Sequence, residues 1–174
     1  YYMQKLFSVN QGSKLLKSTL DGAKVEQKPL SGRVGIGTWY TSAEFDNVKI
    51  TDNESGRILG SDGFSLPLNF WWNWDNIYNS NDFEIKNGKL VQTNTWMPYT
   101  ETGMVAYYGC DDWTNYTYTV EATKLDGDEG FIIPFAVTDN QNCYFWNIGG
   151  WGNTVSCLQQ IENGVKTKII DTEK

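Results

Sequence analysis

Residues 143–154 read CYFWNIGGWGNT. Trp146 and Trp151 offer flat apolar faces, Asn147 and Asn153 offer amide donors and acceptors, and Gly149, Gly150 and Gly152 supply hinges, with no charged residue among them. Aromatic planes stack on the C–H faces of pyranose rings and amides hydrogen-bond hydroxyls, so this mixture suits a sugar-binding surface. It suits equally the glycine-hinged corner of a β-sandwich, with Trp146 plugging the core and Trp151 covering the corner. A second aromatic knot, NFWWNWDNIY, carries polar Asn73 and Asp75 among Trp71, Trp72 and Trp74 and has no clear alternation. Three tryptophans so close cannot all face one core, so at least one belongs in a loop or at the surface, where stacking or partner contact would use it. Trp96 and Trp113 also precede strands in loop-like settings. The candidate carbohydrate-binding residues are therefore Trp151, Asn153, Asn147, Trp72, Trp74 and Trp113.

Hydrolytic chemistry finds less support. The chain contains no histidine, which removes Ser-His-Asp and Cys-His machinery and the common zinc sites. Glycoside hydrolysis needs two carboxylates about 5–5.5 Å or ~6.5–9.5 Å apart. The nearest approach to the alternation Glu-x-Asp-x-x-Glu is Glu44-Phe45-Asp46, and Lys49 stands where the last acid would be. A surface strand is the expectation there. Asp111-Asp112 and Asp126-Gly127-Asp128-Glu129 are the other acidic clusters. The second reads as a hairpin loop; such oxygen-rich loops can hold calcium, although a solvated turn is the default. Cys110, Cys143 and Cys157 lie in no metal or redox spacing and read as small hydrophobes.

Composition sets the frame for these residues. A chain of 174 residues makes one domain, or one domain with a fragment, and can bury a real core. Aromatic residues at 15 %, with eight Trp, exceed what packing usually demands. A net charge of −7 disfavours nucleic acid and anionic membrane as partners. No apolar run approaches the roughly 20 residues that span a bilayer. The opening YYMQKLFS has no signal-peptide core and reads as the interior of a longer chain.

The elements that must position the aromatic groups are almost all strands. Met3, Leu6 and Phe7 share a helical face, and Asn10-Gln11-Gly12 could stop that helix. Beyond it, strands are expected at about 33–39 and 43–51. FEIKNGKLVQT and QQIENGVKT each place Asn-Gly between alternating segments, the residue choice of a type I′ hairpin turn. TNYTYTVEAT sends Tyr116, Tyr118, Val120 and Ala122 to one face. GFIIPFAVT sends Phe131, Ile133, Phe135 and Val137 one way, with Pro134 implying an edge or a bulge. Short strands with turn signals and no intervening helix mean an antiparallel sandwich.

Two stretches resemble known families. YYMQKLFSVNQG resembles the last barrel helix of the family 51 glycoside hydrolases, the α-L-arabinofuranosidases. GRVGIGTWYTSAEFDNVKI and WTNYTYTVEATKLDGDEGFIIPFAVTDNQNCYFWNIGGWGNT resemble the concanavalin A-like (laminin G-like) jelly-roll domain attached to many of those enzymes. The resemblance implies an all-β, antiparallel jelly-roll β-sandwich with a short N-terminal helical stub. Residues 1–13 would be the remnant of the end of a catalytic domain or a linker, and residues 14–174 the sandwich. The stretch resembling the closing strands comes first here, so residues 14–51 would supply them as in a circular permutation, because jelly-roll termini lie close together. The family's two catalytic glutamates lie on barrel strands outside the matched dozen residues, so this chain alone is not expected to be catalytic. What the resemblance implies is a carbohydrate-binding or accessory module of a bacterial enzyme acting on plant cell-wall arabinan or arabinoxylan. Its partners would be that polysaccharide or its oligosaccharides and the catalytic domain of the same enzyme, in a secreted, periplasmic or cell-surface setting. The rival reading is a purely structural sandwich docked on the catalytic barrel without a sugar site. No cofactor is expected, the calcium loop at 126–129 aside.

Overall fold

The computed structural model describes residues 4–6, 19–20, 23–24, 29–66, 71, 83–96 and 103–172. Its strands are β1 (Gln4–Leu6), β2 (Thr19–Leu20), β3 (Ala23–Lys24), β4 (Val34–Thr38), β5 (Thr41–Asp52), β6 (Ile58–Asp62) and β7 (Phe83–Lys86). They continue as β8 (Lys89–Gln92), β9 (Met104–Tyr108), β10 (Tyr116–Gly127), β11 (Phe131–Asp139), β12 (Asn142–Gly149), β13 (Val155–Glu162) and β14 (Val165–Thr172). The first sheet runs β1-β10-β5-β8-β7, with β6 also on β5; the second runs β14-β13-β12-β11-β4-β9. Every pairing is antiparallel, and β2 with β3 forms a separate hairpin. The helix expected from Met3, Leu6 and Phe7 falls mostly outside the described residues. The three that are described, Gln4–Leu6, run instead as a strand along β10.

Local chemistry explains the regular parts. On β10, Tyr116, Tyr118, Val120 and Ala122 are buried, alternating with half-buried Thr117, Thr119 and Glu121. Their side chains meet Val34, Ile36, Phe45, Ile50, Phe131 and Ile133 from both sheets in the main core. Phe45 and Phe131 touch edge to face at 6.0 Å between centroids. Both Asn-Gly pairs form the hairpin turns expected: Asn87 and Gly88 have φ of 54° and 72°, Asn163 and Gly164 of 51° and 78°.

The second sheet departs from a one-sided pattern. Seven consecutive residues of β11, from Phe131 to Val137, are buried. Phe131 and Ile133 face the first sheet, whereas Ile132 and Val137 join Val105, Tyr107, Cys143, Phe145 and Ile161 in a second apolar cluster. Val137 therefore does not share the face of Phe131 and Ile133, contrary to the simple alternation. The cause is a bulge. β11 pairs Ile132 with Gly37 and Val137 with Arg33, one residue more than β4 uses, and Ala136 takes a left-handed φ of 49°. Pro134 sits in this gap, so of an edge or a bulge the bulge is what forms. The displaced Ala136 N–H donates to the buried Tyr116 hydroxyl at 3.1 Å.

Two consequences can be measured. Tyr116→Phe leaves the Ala136 N–H buried without its acceptor and should cost about 1–3 kcal/mol in denaturant unfolding, although only one oxygen is lost. Burial also pushes the Tyr116 hydroxyl up to about 12, raises Tyr118 well above the ordinary tyrosine range, and lifts the Cys143 thiol to about 12. Their unfolded counterparts lose protons first, near pH 9–10. The contribution of these groups to stability is thus complete below about pH 9 and is lost as pH rises toward 12. Thermal melts across that range should fall steeply, with a late tyrosinate absorbance step that coincides with unfolding.

Candidate functional site

β12 ends in a turn of the wrong hand for L-residues. Gly149 (φ 74°), Trp151 (φ 51°, ψ 59°), Gly152 (φ 66°, ψ 38°) and Asn153 (φ 60°) are all left-handed. The two glycines accept this freely and Asn153 tolerates it, but Trp151 does not, and a bulky residue in that region costs about 1–2 kcal/mol. The turn is held by hydrogen bonds. The Thr154 N–H donates to the Gly150 carbonyl at 2.9 Å, the Thr154 hydroxyl to the Trp151 carbonyl at 2.6 Å, and the Gly149 N–H to Ser156 Oγ at 3.1 Å. Backbone strain of this kind persists only where surroundings over-determine it, and it clusters at binding sites. The turn presents Trp151 with 51 % of its surface exposed.

Beneath it lies a buried polar pair. Asn147 and Gln159 are 7 % and 5 % exposed, and Asn147 Nδ2 donates to Gln159 Oε1 at 3.2 Å. The Asn147 amide packs on Gly150 so closely that a Cβ there would stand 2.8 Å from both of its polar atoms. Across the β13–β14 ladder, Gln159 is paired with Lys168, whose ammonium stands 5.5 Å from the Trp151 ring centroid. A ring of contacts thus runs from Trp151 through Gly150, Asn147, Gln159 and Lys168 back to Trp151. On the same side, the Lys166 ammonium lies 4.3 Å from the Trp39 centroid and 5.8 Å from that of Phe145.

The residues singled out in the sequence divide accordingly. Trp151 and Asn153 are exposed on the turn, and Asn147 is buried directly below it. Trp113 is elsewhere: half-buried, edge-on to Tyr108 at 6.0 Å and packed over Gly109. Trp72 and Trp74 lie outside the described residues. Their neighbour Trp71 is buried, stacks on Tyr108 at 5.1 Å and donates its indole N–H to Asp62 at 2.8 Å. Trp146 is half-buried and packs on the main core. Lys168 and Gln159 were missed, yet a signal existed. A two-residue Asn163-Gly164 turn sets Gln159 opposite Lys168.

The acids take other roles. Glu44 is half-buried on β5 and paired with Lys89, and the Asp46 carboxylate accepts from the Asn47 N–H at 2.7 Å. In the 126–129 loop, Asp126 accepts from the Gly127 N–H at 2.8 Å, and Lys124 donates to the Glu129 carbonyl at 2.6 Å. Among the described residues no three acids or cysteines converge on a metal-sized site. Nor is any described helix long and apolar enough to cross a membrane.

No protein-family model matches the chain. Over 170 residues, 98 % of its length, the chain is 35 % identical to an extracellular exo-α-L-arabinofuranosidase of Streptomyces chartreusis. The matched segment makes up 20 % of that protein, so the chain spans about a fifth of the length of the relative it matches.

The close seat of Asn147 on Gly150 is testable. Gly150→Ala should lower stability by roughly 1–3 kcal/mol through overpacking. Adding Asn147→Ala should recover part of that loss, a non-additivity that urea unfolding of the double-mutant cycle would read.

Proposed function

We propose that this chain is a non-catalytic accessory β-sandwich, of the concanavalin A-like jelly-roll kind, within a bacterial α-L-arabinofuranosidase. In this reading it holds plant cell-wall arabinan or arabinoxylan at the Trp151–Asn153 turn and works beside the catalytic domain of the same secreted or cell-surface enzyme. Residues 1–13 are the tail of that catalytic domain or a linker, and residues 14–51 supply the closing strands of the permuted sandwich spanning 14–174. Similarity over nearly the whole chain to a fifth of an extracellular arabinofuranosidase supports an accessory part of such an enzyme. The observation that carries sugar binding is the half-exposed Trp151 on a strained, hydrogen-bonded turn. A large apolar ring is kept in water at a conformational cost, which packing alone does not explain.

The rival, a sandwich that only docks on the catalytic domain, has its own support. β14 is an edge strand whose Val165, Ile169 and Ile170 are exposed. Calorimetric titration of the chain with arabinan, arabinoxylan and xylo-oligosaccharides separates the two. Trp151→Ala should lower affinity at least about tenfold with an unchanged melting temperature, as removal of a hot-spot ring does. Trp146→Ala should instead cost roughly 2–3 kcal/mol of stability, less than a fully buried Trp, while leaving the turn in place. Absence of heat with all three ligands favours docking.

A further inference from the structure

We propose that the sandwich binds a buried water molecule at one end of its main core, held by Thr38, Thr41 and Gln92 and joining the two sheets. Among the described residues four buried side-chain atoms lack a hydrogen-bond partner, and three of them are Thr38 Oγ1, Thr41 Oγ1 and Gln92 Oε1. Thr38 is 1 % exposed, and Thr41 and Gln92 are fully buried. The two-residue repeat of the strands turns all three inward. Thr38 continues the row of Val34 and Ile36 on β4, Thr41 begins that of Ala43 and Phe45 on β5, and Gln92 follows Leu90 on β8. All five of these neighbours line the main core.

The ladders bring the three together. Gln92 stands opposite Ala43, so Thr41 is its diagonal neighbour on the first sheet, about 7–8 Å away from backbone to backbone. Thr38 stands opposite Met104 on the second sheet, and Met104 Sδ accepts from Gln92 Nε2 at 3.3 Å, which carries the contact across the space between the sheets. The Gln92 amide is fixed against turning over, because Nε2 also donates to the Asn94 carbonyl at 2.8 Å and an oxygen there would face an oxygen. Its Oε1 is therefore an acceptor that still needs a donor. Polar oxygens withdrawn from solvent without a hydrogen bond are costly, and three at one place are more so. A single water answers them all. It donates to Gln92 Oε1 and to one threonine oxygen and accepts the hydroxyl proton of the other, three bonds being the usual number for a buried water. Ala43, the smallest β5 residue of the apolar core, leaves room beside Gln92. The three groups are uncharged and lie far from the surface, which suits water and not an ion or a sugar ring.

A crystal structure of the 174-residue chain should show water density within about 2.5–3.0 Å of Gln92 Oε1 and of at least one of the two threonine oxygens. Thr38→Val and Thr41→Val keep the shape of the side chain and remove its hydroxyl, so the sign of their effect decides the matter in solution. With water bound, each variant deprives the water of a partner, and the folding constant read by urea unfolding should fall about tenfold. The two together should lower it by less than the product of the separate factors, because both act on the same water. In a dry site each substitution would only delete a desolvated hydroxyl, and the protein would gain stability. Lack of the density, or either variant proving as stable as the parent or more so, overturns the assignment.

Discussion

A sheet that is apolar on both faces must have both faces withdrawn from water, and that requirement shapes the second sheet and what surrounds it. β11 carries it most plainly, with seven consecutive buried residues feeding one core between the sheets and another on the far side. An ordinary sandwich sheet turns its outer face to solvent and can offer it to a ligand. Here that face is occupied by Ile132, Val137, Phe145 and Ile161, all buried. The exposed Trp151 stands instead at the rim, where β12 runs out and the chain turns at residues 149–153.

The same constraint accounts for the polar groups found inside. A bulge is needed to bring Val137 to the far face, and a bulge frees a backbone N–H that must be satisfied. The Tyr116 hydroxyl meets it from the other sheet. Where the apolar far face approaches the rim, Asn147 Nδ2 donates to Gln159 Oε1 at 3.2 Å under the turn, while Asn147 Oδ1 is buried with no hydrogen-bond partner among the described residues. That single hydrogen bond offsets part of the cost of burying the two amides, and the packing of Asn147 against Gly150 fixes the base of the turn that carries Trp151.

Charge is arranged with similar economy. The outer surface of the first sheet holds acids engaged with neighbours: Glu44 with Lys89, and Glu121, which accepts from the Asn47 amide at 2.9 Å. These are the contacts of a solvated strand surface rather than of a carboxylate pair set across a cleft. Positive charge instead gathers on β14 beside aromatic rings. Lys166 lies over the rings of Trp39 and Phe145, and Lys168 over that of Trp151.

Much of this was legible before any coordinates. The two Asn-Gly turns follow from steric permission for positive φ, and the alternation of 116–122 follows from the two-residue repeat of a strand. Both are local, so composition and spacing determined them. The hairpin at Asn163-Gly164 even sets Lys168 opposite Gln159, because a two-residue turn fixes register. Trp113 and Val137 were not legible. The first is drawn into an aromatic cluster by Tyr108, a neighbour its own stretch does not mark; the second is turned over by a bulge at Ala136, which Pro134 announced only as one of two alternatives and without its effect on Val137. Trp151 stands between the two cases. Its escape from the strand was readable from the glycines around it, whereas its approach to Lys168 depends on the left-handed turn and on a strand it does not adjoin in sequence. Only the packed chain, by bringing those distant segments to one rim, could decide that.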